Sequence, residues 1–281
     1  MSQIKMIIMD VDGTMVNSDK VITPKTKEAL LKAQASGVRL VIASGRPTSG
    51  IRKFADELDL AENHGLLVSY NGSKVYDCTS KEVIYNQAIK VNQAKRVLEH
   101  MKKFNVYPMV DRHGYMNVLD AYAPQIHMNV GDDRMIDIMK YEIRGGNFLI
   151  CEHRDLAEYV DFEPNKILTA GEPEYLEKVF EEMQAPFKDE LNCMFTAPFF
   201  FEFTPKGVDK AKALRSICEL TNIDESEVIA FGDANNDLTM IEAAGIGVAM
   251  SNASPLVLEA ADYITLSNDE DGIAHALAKF M

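Results

Sequence analysis

The sequence predicts an α/β chain: a doubly wound parallel sheet interrupted by an α+β insert. Three observations carry the prediction. Short apolar runs alternate with amphipathic helical stretches at both ends of the 281 residues, as expected for strands buried on both faces of a parallel sheet. Between about residues 83 and 205 the rhythm changes, and helices mix with hairpin signals. Polar residues able to do chemistry recur where the terminal strands end.

The elements follow in order. Residues 4–9 are the first strand, stopped by Asp10-Val11-Asp12-Gly13-Thr14. Thr23-Pro24 reads as an N-cap and first helical residue, and Ala29, Leu30 and Ala33 keep helical spacing until Gly37 closes the helix. Residues 38–43 are the second strand, and Ser44-Gly45-Arg46-Pro47 turns into a helix reaching about residue 58. Residues 66–69 are the third strand, Asn71-Gly72 a hairpin turn, and 74–76 the return. In the insert, 91–104 reads as a helix, and 106–111 with 115–119 as a hairpin around His113-Gly114. A helix over 134–141, a strand over 167–170 and a helix over 173–183 follow. Residues 193–196 and 199–203 are strands paired across Ala197-Pro198.

The first rhythm then resumes. Residues 208–221 form a helix with Ala211, Leu214, Ile217 and Cys218 on one stripe. A strand over 228–231 ends in Gly232-Asp233. A helix over 235–244, a strand over 246–250, a helix from Ser254-Pro255, a short strand at Tyr263-Ile264 and a helix over 271–280 complete the chain. The expected division is a core of 1–82 and 206–281 with an inserted domain of 83–205.

A net charge of −14 argues against nucleic acid or an anionic membrane as partner, since both need a basic surface. An anionic substrate would need local positive charge from a metal, a lysine and helix N-termini. The four cysteines form no CxxC and read as reduced thiols of a cytoplasmic protein. The first apolar run is too short for a signal peptide, and no run is long enough to span a bilayer. The six histidines lack zinc-site spacing.

Asp10 and Asp12 sit two apart at a strand tip, so both can project to one side. Two carboxylates held together repel unless a cation or a shared proton joins them. That suits a Mg²⁺ site in which one carboxylate attacks and the other moves protons. Ligands of open α/β sheets sit outside the C-terminal strand ends. Ser44, Gly45 and Arg46 end the second strand there, Lys206 precedes a late helix, and Asp233, Asn236 and Asp237 follow a late strand. Each has an ordinary structural reading, Ser44 as a helix cap and Lys206 as a solvated lysine among them. Their coincidence at one sheet edge favours a site.

With these motifs the chain resembles the haloacid dehalogenase superfamily of phosphohydrolases, in the Cof-type branch whose cap is inserted and of type IIB. The resemblance rests on DVDGT (10–14), SGR (44–46), YNG (70–72), PKG (205–207), GDANND (232–237) with GIGVAMSNA and AADYIT, and NDEDG (268–272), and it covers essentially the whole chain. Met15 stands where leucine is frequent and Ser251 where glycine is frequent. The resemblance implies Asp10 as nucleophile and Asp12 as general acid and base. It implies Mg²⁺ on Asp10, the Asp12 carbonyl and Asp233, with Asp237 orienting the metal waters or binding from behind the ligands. Ser44, Gly45 and Asn236 would bind phosphate, and Lys206, with Lys210 one turn later as the alternative, would offset its charge. Arg46 is expected to be structural or to act through a neighbouring site residue, since the proline after it starts a helix. The insert would act as a lid, with Arg112, His113, His127 and Lys166 as polar candidates on it.

The implied activity is hydrolysis of small phosphorylated metabolites, sugar phosphates above all, by a monomer or weak homo-oligomer. A phosphomannomutase-like transfer is one alternative, although no basic cluster for a second phosphate stands out. A non-catalytic phosphometabolite binder is another, although a binder gains nothing from Asp10 and Asp12 together.

Overall fold

The computed structural model describes residues 3–122, 125–131 and 133–281. Its first elements are β1 (Met6–Met9), α1 (Pro24–Ala35), β2 (Arg39–Ala43), α2 (Thr48–Glu57), β3 (Leu66–Ser69), β4 (Lys74–Asp77) and β5 (Glu82–Asn86). The insert contributes α3 (Val91–Met101), β6 (Tyr107–Arg112), β7 (Tyr115–Val118), β8 (Gln125–His127), β9 (Met135–Asp137), α4 (Ile138–Gly146) and β10 (Leu149–Glu152). It continues through α5 (Leu156–Tyr159), β11 (Ile167–Ala170), α6 (Pro173–Gln184), β12 (Leu191–Ala197) and β13 (Phe200–Pro205). The chain ends with α7 (Lys210–Thr221), β14 (Val228–Gly232), α8 (Leu238–Ala243), β15 (Ile246–Ala249), α9 (Pro255–Ala260), β16 (Tyr263–Ile264) and α10 (Gly272–Phe280).

Two compact units result: one runs to Asn86 and resumes at Asp209, and the other is Gln87–Val208. The first expected cut falls earlier because β5 extends the first sheet beyond the hairpin, pairing antiparallel with β4.

The first unit is built on an eight-stranded sheet in the order β16-β15-β14-β1-β2-β3-β4-β5. The six strands from β16 to β3 run parallel, β4 runs antiparallel to β3, and β5 antiparallel to β4. The chain moves outward through β2 and β3, then returns to lay β14 on the other side of β1. This switch point beside β1 is where such sheets open a crevice at the carboxyl edge. Strand alternation divides β1 between two cores. Ile7 and Met9 pack with Leu30 of α1, Phe54 of α2 and Ile273 of α10. Met6 and Ile8 pack with Ala213, Leu214 and Ile217 of α7.

The second unit holds a six-stranded sheet, β10-β7-β6-β11-β13-β12, and a separate ribbon of β8 and β9. One face carries the apolar residues of α3 and α6, with Phe201 and Phe203 of β13. Phe200, Leu168 and Met109 point the other way and pack with Ile138 and Met139 of α4.

The helix expected over 134–141 is corrected. Met135, Ile136 and Asp137 pair with Gln125, Ile126 and His127 as strands, and α4 starts only after Asp137 caps it by accepting from the Lys140 N–H at 2.9 Å. The helix expected over 235–244 is a 3₁₀ turn at Asn235–Asp237 followed by α8.

Candidate active site

Alternation along β1 carries Asp10 to the face of Met6 and Ile8, the side covered by α7. Lys210, the first residue of α7, is fully buried there. Its Nζ donates to Asp10 Oδ1 at 2.6 Å and to Asp237 Oδ1 at 2.5 Å. The second oxygen of Asp237 accepts the backbone N–H groups of Asp233 and Ala234, each at 3.0 Å. Asp237 thus shapes the turn that presents Asp233. The Thr14 hydroxyl donates to Asp233 Oδ1 at 2.6 Å. Gly13 lies beside it at φ +84°, and a Cβ there would fall 2.3 Å from Asp233 Oδ2.

Asp10, Asp233 and Asp237 bring carboxylate oxygens within 4.8 Å of one another. Three carboxylates face one ammonium, and burial magnifies the imbalance. Desolvation raises the Asp10 carboxyl to about 7; Lys210 opposes the shift, and the Asp237 charge adds to it. Desolvation likewise raises Asp233 to about 6, against the Thr14 hydrogen bond. Burial alone would push the Lys210 ammonium down, but Asp10 and Asp237 outweigh it and hold the lysine charged. Hard oxygen donors with a net charge deficit fit a divalent cation.

The Asp12 carboxylate has partners of its own. Its Oδ2 accepts from Arg46 Nε at 2.7 Å, and its Oδ1 accepts from Arg46 at 2.6 Å and from Lys20 Nζ at 3.0 Å. Partial burial pushes its pKa up, but the fork of Arg46 and the Lys20 ammonium outweigh that and lower it. Arg46, expected to be structural or to act through a neighbouring site residue, holds this carboxylate directly. Among the positions expected to bind phosphate, Ser44 Oγ accepts the Arg46 N–H at 3.2 Å. Asn71, in left-handed backbone at φ 56°, donates its N–H to the Ser44 carbonyl and accepts from Asn236 Nδ2 at 2.9 Å. Gly45 passes so close that a Cβ would lie 2.9 Å from Asn71 Oδ1.

Asp10, Asp233, Asp237 and Lys210 therefore form one cluster, while Asp12 sits with Arg46 and Lys20, and Ser44, Gly45 and Asn236 sit around Asn71. Lys206 is the correction. It is exposed and donates to the Lys188 carbonyl at 2.9 Å within the inserted unit; the lysine on Asp10 is Lys210. The PKG motif drew attention to Lys206, yet Lys210 is four residues before Leu214 and seven before Ile217, on the apolar stripe of α7. Lys20, Thr14 and Asn71 were also not singled out as site residues. Glycine turns and a short loop placed them, and no periodic pattern marks such positions.

The inserted unit's polar candidates are mostly engaged locally. Arg112 pairs with Asp161 at 2.8 Å, His127 with Glu172 at 2.8 Å and Lys166 with Glu202 at 2.9 Å. His113 occupies a left-handed turn position at φ 52°.

A family model described as haloacid dehalogenase-like hydrolase matches residues 7–277. The chain belongs to the haloacid dehalogenase-like hydrolases. A crystal structure of a haloacid dehalogenase-like hydrolase from Bacteroides thetaiotaomicron is 34% identical, with a TM-score of 0.90 over 99% of this chain and 100% of that one. The 5-amino-6-(5-phospho-D-ribitylamino)uracil phosphatase YcsE of Bacillus subtilis is 30% identical over 98% of this chain and 94% of its own length. A structure described as the subclass IIB sugar phosphatase BT4131 is 27% identical, with a TM-score of 0.77 and 98% of each chain covered. Within this family of phosphatases, the aspartate cluster marks the present chain as a phosphatase with an aspartate-centred, divalent-metal-type site. Among the described residues no helix is long and apolar enough to cross a membrane.

Proposed function

We propose that the protein hydrolyses phosphate monoesters of small metabolites, sugar phosphates foremost, through a phosphoryl group carried on Asp10, with Mg²⁺ as the metal. The observation that carries this reading is the buried Lys210 shared by Asp10 and Asp237, beside Asp233. It leaves a nucleophilic carboxylate oriented by one hydrogen bond, in a site that still lacks positive charge.

Asp10 attacks phosphorus, and the bond from phosphorus to the leaving oxygen breaks. Asp12 gives its proton to that oxygen, then takes one from the water that cleaves the Asp10–phosphorus bond, and inorganic phosphate leaves. Arg46 and Lys20 favour the charged form of Asp12, which is the form the second step needs. The first step needs a proton on Asp12, which the negative charge of a bound phosphoryl group beside that carboxylate would favour. Asp10 and Asp233, with the Asp12 carbonyl, are the proposed holders of Mg²⁺, and Asp237 supports Asp233. When bound, Mg²⁺ would supply charge neutralisation at the phosphoryl oxygens. Ser44, Gly45 and Asn236 are proposed to bind phosphate, and Lys210 takes the charge-offsetting role first expected of Lys206. Gln87–Val208 is proposed to act as a lid and to choose the leaving group.

Sugar phosphates are supported by the likeness to a structure described as a sugar phosphatase. A phosphorylated ribitylamino-uracil is the second substrate class, supported by the likeness to YcsE. Phosphate release should be measured with Mg²⁺ and with chelator across hexose, pentose and triose phosphates, nucleotides and pyridoxal phosphate. Metal-dependent turnover, with a sugar phosphate giving the highest kcat/KM and the Asp10→Asn variant inactive, is expected. Turnover by Asp10→Asn, or a bisphosphate requirement, would replace the reading.

A further inference from the structure

The loop from Gly13 to Val21 joins the aspartate pair to α1, and it is tied down by residues some 240 positions later. Asn252 Nδ2 donates to the Gly13 carbonyl at 2.9 Å, and Asn252 Oδ1 accepts the Asn268 N–H at 3.1 Å. Asn268 Nδ2 donates to the Val16 carbonyl at 2.9 Å. Asp269 accepts both the N–H and the hydroxyl of Ser18, each at 2.7 Å. Beyond these ties the Asn17 side chain accepts the N–H groups of Asp19 and Val21, each at 3.1 Å, and sets Lys20 in left-handed backbone at φ 62°. Lys20 then reaches back to Asp12 Oδ1 at 3.0 Å.

Most of these bonds are exposed, so they add little to global stability. What they fix is register. The turn is shaped by its own bonds, Asn17 N–H to the Val21 carbonyl at 3.0 Å and Lys20 N–H to the Asn17 carbonyl at 2.9 Å, and the ties set where that turn stands relative to Asp12. The arrangement also gives Asp12 two cationic neighbours from different elements, Arg46 after β2 and Lys20 before α1. A carboxylate gripped from two directions keeps one orientation.

We propose that Asn268 and Asp269 are positioning residues: by tethering Val16 and Ser18 they hold the loop so that Lys20 reaches Asp12 and, with Arg46, fixes the direction in which that carboxylate points. The inference rests on the phosphatase reading, in which Asp12 moves the protons. Phosphate is bound by other groups, so loss of the tether lowers kcat and leaves KM nearly unchanged.

The test combines p-nitrophenyl phosphate kinetics at saturating Mg²⁺ with amide hydrogen exchange on the intact chain. Lys20→Met and Asp269→Ala should each lower kcat by about tenfold, with KM moved by less than about twofold. The double variant should be no slower than the slower single, because both changes release the same contact. Lys20→Arg should recover most of the rate. Exchange over residues 13–22 should quicken in Asp269→Ala and in Asn268→Ala. Losses that multiply to about a hundredfold, an unaffected Lys20→Met enzyme, or unchanged exchange over 13–22 would overturn the proposal. A wild-type protein with no metal-dependent turnover would instead overturn the phosphatase reading, and this role of Lys20 with it.

Discussion

Gly13 shows how narrow the tolerance is at a single residue. Its φ of +84° would strain any side chain, and a Cβ would also lie inside contact distance of the Asp233 carboxylate. Gly114, at φ +82°, carries the same backbone demand with nothing within 4 Å of a Cβ. The pair separates strain from collision. Gly114→Ala should cost about 1–2 kcal/mol of stability and leave turnover intact. Gly13→Ala should cost a similar amount and also weaken divalent-metal binding and kcat by at least about tenfold. Calorimetric metal titration alongside kinetics would check this, and equal activity in the two variants would count against the close approach to Asp233. At this scale the sequence was informative where chemistry demands a residue type in a fixed spacing. Asp10, Asp233 and Asp237 were named from spacing and resemblance, and they lie together. Thr14, Lys20 and Asn71 act through turn geometry, which leaves only weak marks on a sequence.

Among elements, α7 is the most instructive. Its N-cap, Asp209, accepts the Lys212 N–H at 2.7 Å, and this fixes Lys210 as the first helical residue. Starting the helix at 208 hid that register and left Lys206 as the nearer choice. The apolar stripe, extended one turn toward the N-terminus, passes through Lys210. A lysine on such a stripe is buried, and a buried lysine needs carboxylates. Lys210→Met should therefore lower kcat by about 10²–10³-fold, while Lys206→Met stays within about twofold of wild type. The reverse order would return the role to Lys206. The parallel strands were legible because burial on both faces leaves continuous apolar runs. The β8–β9 ribbon was not, since the three-residue strands Gln125–His127 and Met135–Asp137 carry no such run.

Charge is organised on the scale of the whole molecule. A chain of net charge −14 gathers three of its carboxylates around Lys210. With Asp10 raised to about 7 and Asp233 to about 6, the metal-free fold holds more protons than the unfolded chain between about pH 4 and 7. These two groups therefore favour folding below about pH 4, and that contribution is lost as pH rises through 6 and 7. A divalent cation needs both deprotonated, so its stabilisation runs the other way. The rise in Tm on adding Mg²⁺ should be small at pH 5 and larger at pH 8; an equal rise at both would contradict the assignment. The most direct measurement of the central claim is to quench the Asp12→Ala variant during turnover and locate the phosphoryl group by peptide mass spectrometry. The account predicts a single phosphorylated residue, Asp10, whose label disappears in Asp10→Asn. Phosphate found on any other side chain, or full turnover with Asp10 replaced, would contradict it.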